Sequence, residues 1–141
     1  MKHALALLAL LAGCATAPQP ALEPAGVPAP AARVESIAVA SLLDSARSDT
    51  EAGQLASAAA SLERAIRIEP RNPRLWHELA RVRLKQGDYA QAESVAARSN
   101  SWAGGDNALR AENLRLIARA REARGDATGA REALEAAERR R

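Results

Sequence analysis

Three arginines recur along this chain at repeating distances. Arg47, Arg81 and Arg119 are separated by 34 and 38 residues. A guanidinium is a planar fork of donors that grips a carboxylate through paired hydrogen bonds. An aligned set would therefore suit an acidic ligand. The plainer alternative is a solvated face, with the arginines paired to acids close in sequence, such as Asp44, Glu78 and Glu122. Little else bears chemistry. His3 and His77 are the only histidines, and Cys14 is the only cysteine. A lone histidine makes no metal site, and no paired acids stand near His77 at suggestive helical spacing. Glycines occur singly at turns or as Gly104-Gly105, with no phosphate-binding loop. An intrachain disulfide is impossible, and neither catalysis nor a cofactor is expected.

Composition narrows the class. At 141 residues the chain holds one domain. Apolar residues make up 48%, but many are alanine, and aromatics are only 2%. No β-branched or aromatic runs suggest strands, so the class is all-α. An alanine-rich core buries little area per residue. The formal charge is +3, or +2 once Lys2 is lost with an N-terminal leader. That is too small to argue for nucleic acid, and the aromatics do not interleave a basic patch.

The elements that must position these residues are clearest between Asn72 and Ser99. Asn72 is an N-cap, with Pro73 at the first helical position, where a missing N–H is harmless. Leu75, Trp76, Leu79, Val82 and Leu84 follow at helical spacing. Gln86-Gly87-Asp88 breaks the helix. Asp88 caps the next, with Gln91 as its capping-box partner. The second helix presents Tyr89, Ala92, Val95, Ala96 and Ser99, and the small residues allow close approach. The pattern repeats. Thirty-four residues upstream stand Gly53, Leu55, Ala58, Leu62, Ala65 and Pro70. Thirty-eight downstream stand Gly125, Ala127, Ala130, Leu134 and Ala137, with Ile117 and Ala118 in the places of Leu79 and Ala80. The four extra residues are assigned to Ser99–Asn107. Helix 1 is expected from Arg33 to Ala52, burying Val34, Ile37, Ala38, Leu42 and Ala46. Helix 5 follows Asp106, and helix 6 follows Asp126.

This unit resembles the tetratricopeptide repeat (TPR), a 34-residue helix-turn-helix module. Trp76, Leu79, Ala80, Gly87, Tyr89 and Ala92 fall on its consensus. Arg83, Ala96 and Ser99 depart from it, where a large residue, an aromatic and an alanine are usual. The resemblance implies an α-solenoid of three repeats, about 39–71, 73–105 and 111–141, whose first helices line a concave groove. On that groove it places Arg47, Arg81 and Arg119, joined by Arg74, His77, Lys85 and Arg115. An acidic or C-terminal-carboxylate peptide is the ligand expected there. The asparagines of the family's carboxylate clamp are missing, so that specific chemistry does not transfer. Trp76 is expected in the core, and Trp102 to pack in the turn after helix 4.

Residues 1–13 read as a targeting segment: Lys2, then the short apolar core Ala4–Leu11. It is too short to span as a helix, which takes about 20 residues. Leu11-Ala12-Gly13-Cys14 resembles the bacterial lipoprotein box, which implies acylation of Cys14 after cleavage. Ordinary secretory cleavage after Ala15-Thr16-Ala17 is the alternative, but it leaves the lone cysteine unexplained. Two or three acyl chains anchor a protein stably. By the same resemblance, Ala15 is not the aspartate that typically retains lipoproteins at the inner membrane. The expectation is the periplasmic face of the outer membrane of a diderm bacterium, with an inner-membrane or soluble periplasmic form as alternatives. Residues 14–32 carry Pro18, Pro20, Pro24, Pro28 and Pro30 and read as a disordered or polyproline linker reaching about 50 Å.

The reading is thus a tethered adaptor, with 33–141 as a TPR-like domain that binds an envelope protein. It looks like the small TPR lipoproteins that help assemble pilus secretins or regulate cell-wall machinery. The alternative is self-association through helix 6, whose outer face is otherwise rich in Arg and Glu.

Overall fold

The computed structural model describes residues 30–140, with side chains from residue 36. Cys14, the segment 1–13 and the linker before Pro30 lie outside the described residues. Six helices follow in order: α1 (Pro30–Glu51), α2 (Leu55–Ile68), α3 (Pro73–Gln86), α4 (Tyr89–Trp102), α5 (Asn107–Ala123) and α6 (Ala127–Glu138). Each odd helix packs on the even helix after it, and α2 packs on α3 as α4 does on α5. The result is an all-α solenoid of three helix-turn-helix units.

All three units turn in the same way. Gly87 sits at φ 82° and ψ 5°, a left-handed conformation that costs other residues a Cβ clash. It lets Gly87 N donate to Leu84 O at 3.2 Å and Asp88 N to Arg83 O at 3.0 Å. These paired bonds are the Schellman closure, which satisfies carbonyls left open at the helix end. The same pair recurs at Gly53 (to Thr50 and Asp49) and at Gly125 (to Glu122 and Arg121). Asn72 and Asp106 cap as expected, accepting from Arg74 N and Leu109 N. Asp126 caps α6 by accepting from Gly129 N at 2.8 Å. Asp88 holds the N-cap position of α4 but makes no side-chain cap bond. Its carboxylate lies 3.6 Å from Arg83 instead.

The four extra residues are not in Ser99–Asn107. Helices α2 and α4 each have 14 residues, and the connections after them, 69–72 and 103–106, are equally long. Helix α5 has 17 residues against 14 in α3. The α5–α6 connection is one residue longer than that between α3 and α4. Three plus one account for the four. They add about one helical turn of 3.6 residues, which leaves the faces of α5 in register.

The core is continuous but thin. Of the 23 buried apolar residues described, 14 are alanine, so the helices lie close and bury little area each. One cluster gathers Leu62, Leu75, Leu79 and Val82, and a second gathers Leu116, Ile117, Ala118 and Ala130. Val95 packs against both. Arg83, off the repeat consensus, ties α3 to Glu63 of α2 at 2.6 Å. Arg121, 38 residues on, ties α5 to Glu93 of α4 at 2.7 Å. The hydrogen bond that Arg121 Nε donates to Glu93 Oε1 raises the Arg121 pKa above its ordinary value.

Three expectations for the core fail. Ile37 is 63% exposed while Val39 is buried. The run Ile37-Ala38-Val39-Ala40 is apolar on every side, so sequence alone did not fix the phase of α1. Leu134 is 48% exposed and Ala127 is exposed. Among the described residues no helix follows to cover them, as α3 and α5 cover the earlier units. Trp102 is the last residue of α4 and not part of the turn.

Candidate functional site

The cleft between α1 and α3 gathers cations over an apolar floor. Leu43, Leu62 and Val82 form the floor, and Arg47, Arg81 and Lys85 stand around it with Glu51 and Glu78. Helical spacing puts them there. Leu43 and Arg47 lie one turn apart on α1, as Arg81 and Lys85 do on α3. The cavity is about 100 Å³. That admits a side chain but falls short of the ~300–1,000 Å³ typical of small-molecule sites.

The arginines are partly engaged with neighbouring acids. Arg47 lies 3.6 Å from Asp44 and Arg81 lies 3.0 Å from Glu78, each pair three residues apart on one helix. Both arginines remain exposed. Exposed pairs of this kind contribute about 0–1 kcal/mol, so an incoming carboxylate can replace them at little cost. Lys85 has no ion-pair partner among the described residues.

The other candidates divide. Arg115 and Arg119 line a second cleft, between α5 and α6, with Ala118, Arg131 and Leu134. The extra turn of α5 explains the doubling: Arg115 is the equivalent of Arg81 counted from the start of the helix, and Arg119 is its equivalent counted back from the turn glycine. Arg115 lies 3.8 Å from Glu138. Arg119 is thus not in the cavity that holds Arg47 and Arg81. Arg74 is exposed, 3.7 Å from Asp106 at the start of α5.

His77 belongs to the packing between repeats. Its side chain is only 12% exposed. Nδ1 lies 2.8 Å from Asn113 Oδ1, and because an amide oxygen only accepts, Nδ1 donates there. Asn113 Nδ2 donates to Ser99 Oγ at 2.7 Å and to Asn100 Oδ1 at 3.0 Å. Ser99 Oγ donates to Pro73 O at 2.8 Å. Asn113 and Ser99 are fully buried, and the chain of bonds joins α3, α4 and α5. Sequence reasoning missed this network. The available signals were Ser99 in a usual alanine place, and Asn113 at the position of Leu75, 38 residues earlier.

Among the described residues no three of His, Cys, Asp and Glu are grouped to hold a metal. No described helix is long and apolar enough to cross a membrane.

Comparison with known proteins settles the family. A tetratricopeptide repeat family model matches residues 49–115, from the last turn of α1 into α5. The solved structure of the globular C-terminal domain of P. aeruginosa LpoP is similar at 52% sequence identity and a TM-score of 0.70. The match covers 71% of this chain and 94% of that one. The chain belongs to the tetratricopeptide repeat family. The three Schellman-closed units are thus TPR units, and Trp76, Leu79, Ala80, Gly87, Tyr89 and Ala92 are consensus positions of the second. No curated protein matches the chain.

Proposed function

We propose that this protein is a lipid-anchored periplasmic adaptor whose TPR solenoid holds an acidic segment of an envelope protein in the α1–α3 cleft. TPR architecture supports a role in protein–protein interaction in general terms. The observation that carries the finer reading is the cleft itself. Arg47, Arg81 and Lys85 offer three cations against Glu51 and Glu78 around a floor of Leu43, Leu62 and Val82. Charged donors over an apolar floor suit a short peptide with one apolar side chain and flanking carboxylates. Arg115 and Arg119 extend the basic character toward the third repeat.

The anchor rests on Leu11-Ala12-Gly13-Cys14 behind a basic, apolar leader. With Cys14 acylated, the proline-rich stretch to residue 29 spaces the solenoid from lipid. The outer membrane is the favoured site. Replacing Cys14→Ser is expected to move the protein from the membrane pellet to the soluble periplasmic fraction. A variant still pelleting with membranes contradicts the anchor.

A second reading, self-association, draws on Leu134, exposed beside Ala118 and Ala130 in the α5–α6 cleft. Sedimentation separates the two: the adaptor reading expects a monomer, and a dimer lost on Leu134→Glu supports self-association.

A further inference from the structure

Both tryptophans of the chain meet at one place outside the cleft, where α3 begins and α4 ends. The Arg98 guanidinium carbon lies 5.6 Å from the Trp76 ring centre and 5.8 Å from that of Trp102. The Arg71 guanidinium carbon lies 5.4 Å from the Trp102 ring centre. Trp76 is fixed in turn by its Nε1–H, which donates to Pro70 O at 2.8 Å. Arg71, Arg98 and Trp102 are exposed.

A guanidinium within about 6 Å of an indole ring centre is attracted by the ring's electron-rich face. Its N–H donors lie in its plane and are not consumed by the ring. Neither Arg71 nor Arg98 has an ion-pair partner among the described residues. The nearby acids are engaged: Glu69 accepts from Asn72 Nδ2, and Asp106 caps α5 and lies near Arg74. The cluster therefore presents two exposed guanidiniums without ion-pair partners beside an exposed indole. Attraction to the rings restricts these side chains and so lowers the entropy lost when a guanidinium grips a carboxylate. Tryptophan and arginine are also the residue types that dominate binding energy at protein interfaces.

We propose that Arg71, Arg98, Trp76 and Trp102 form a second docking surface, which takes an acidic protein segment with neighbouring carboxylates. The protein would then hold two partners, or two segments of one, at separate places on the solenoid. An anionic membrane is the poorer fit. Trp102 is the one exposed large apolar side chain in the cluster, and it carries guanidiniums on its ring, so there is little free apolar surface to enter acyl chains.

The chain has only these two tryptophans, so indole emission reports on this surface, and because Trp76 also packs on the core beneath the cleft a cleft variant serves as the control. The whole chain carrying Cys14→Ser is titrated with a blocked octapeptide of alternating Glu and Asp. Controls are the all-Gln octapeptide and vesicles of phosphatidylglycerol in phosphatidylcholine. A saturable change in emission is expected with the acidic peptide only. Arg71→Gln with Arg98→Gln should weaken it by about tenfold, the effect of removing two exposed charge pairs. Arg47→Glu with Arg81→Glu should leave it unchanged, which separates this surface from the cleft. If the Arg98 variant unfolds, Arg71→Gln alone, in the 69–72 connection, should weaken binding about threefold. The proposal is overturned by no saturable change, by equal binding in the glutamine variants, or by a response to vesicles alone.

Discussion

An alanine at Gly87 would have to hold φ near 82°, a conformation that costs an L-residue about 1–2 kcal/mol. Nothing else opposes the substitution, because an added Cβ meets no atom within 4 Å. Gly87→Ala should therefore lower unfolding free energy by about 1–2 kcal/mol, read as a shift in urea midpoint with an unchanged slope. Asn113 poses the opposite case: its backbone is ordinary helix and its side chain is the constraint. Truncating Asn113→Ala strands His77 Nδ1–H, Ser99 Oγ and Asn100 Oδ1 in a fully or partly buried site. The expected loss is about 1–3 kcal/mol in the same measurement. The two residues also differ in how legible they were. Gly87 announced itself because turn chemistry is local, as it did for the caps at Asn72 and Asp106. Asn113 is satisfied by groups 13 to 36 residues away, and no local pattern encodes such partners. For that reason the repeat pattern places His77 on the groove, whereas its ring meets Asn113 between repeats.

Helix α4 shows how small residues set an element's position. Ala92 and Ala96 have no exposed surface, and Ala96 stands where the family usually has an aromatic. Restoring the consensus here should be harmful. Ala96→Phe forces the surrounding helices apart and is expected to cost about 1–3 kcal/mol, measurable by thermal or urea unfolding. A stabilised Ala96→Phe variant would mean that the second unit packs more loosely than described. The consensus departure at Arg83 has a comparable explanation: it exchanges apolar filling for an ion pair to Glu63. The starts of α3 through α6 were legible, because each follows a cap residue at Asn72, Asp88, Asp106 or Asp126. The phase of α1 was not, since its apolar residues fall on several faces. The extra turn of α5 was hidden too. Four inserted residues preserve the helical faces, so they can be placed in a neighbouring turn without disturbing the pattern.

At the scale of the molecule, the solenoid joins units that would be thin alone. Two core clusters share Val95, and the inter-repeat ties at Arg83–Glu63, Arg121–Glu93 and Asn113–Ser99 lock successive pairs together. The three-unit plan was readable from the recurrence of Gly53, Gly87 and Gly125. The shape of the candidate site was readable only in part. The recurrence of Arg47, Arg81 and Arg119 suggested one column, but the structure gives a cleft with Arg47, Arg81 and Lys85 and a separate one with Arg115 and Arg119. The two clefts lie between different helix pairs, α1 with α3 and α5 with α6.

A partner seated in the α1–α3 cleft should be captured by crosslinking from that cleft in intact cells. A photoreactive amino acid replaces Lys85, which lines the cavity, and the yield of its adduct is compared with and without Arg47→Glu plus Arg81→Glu. One discrete adduct is expected from the otherwise unaltered protein, reduced about tenfold or more by the double reversal at equal protein level. An adduct of undiminished yield in the reversed variant would contradict that seating, as would the absence of any adduct from position 85.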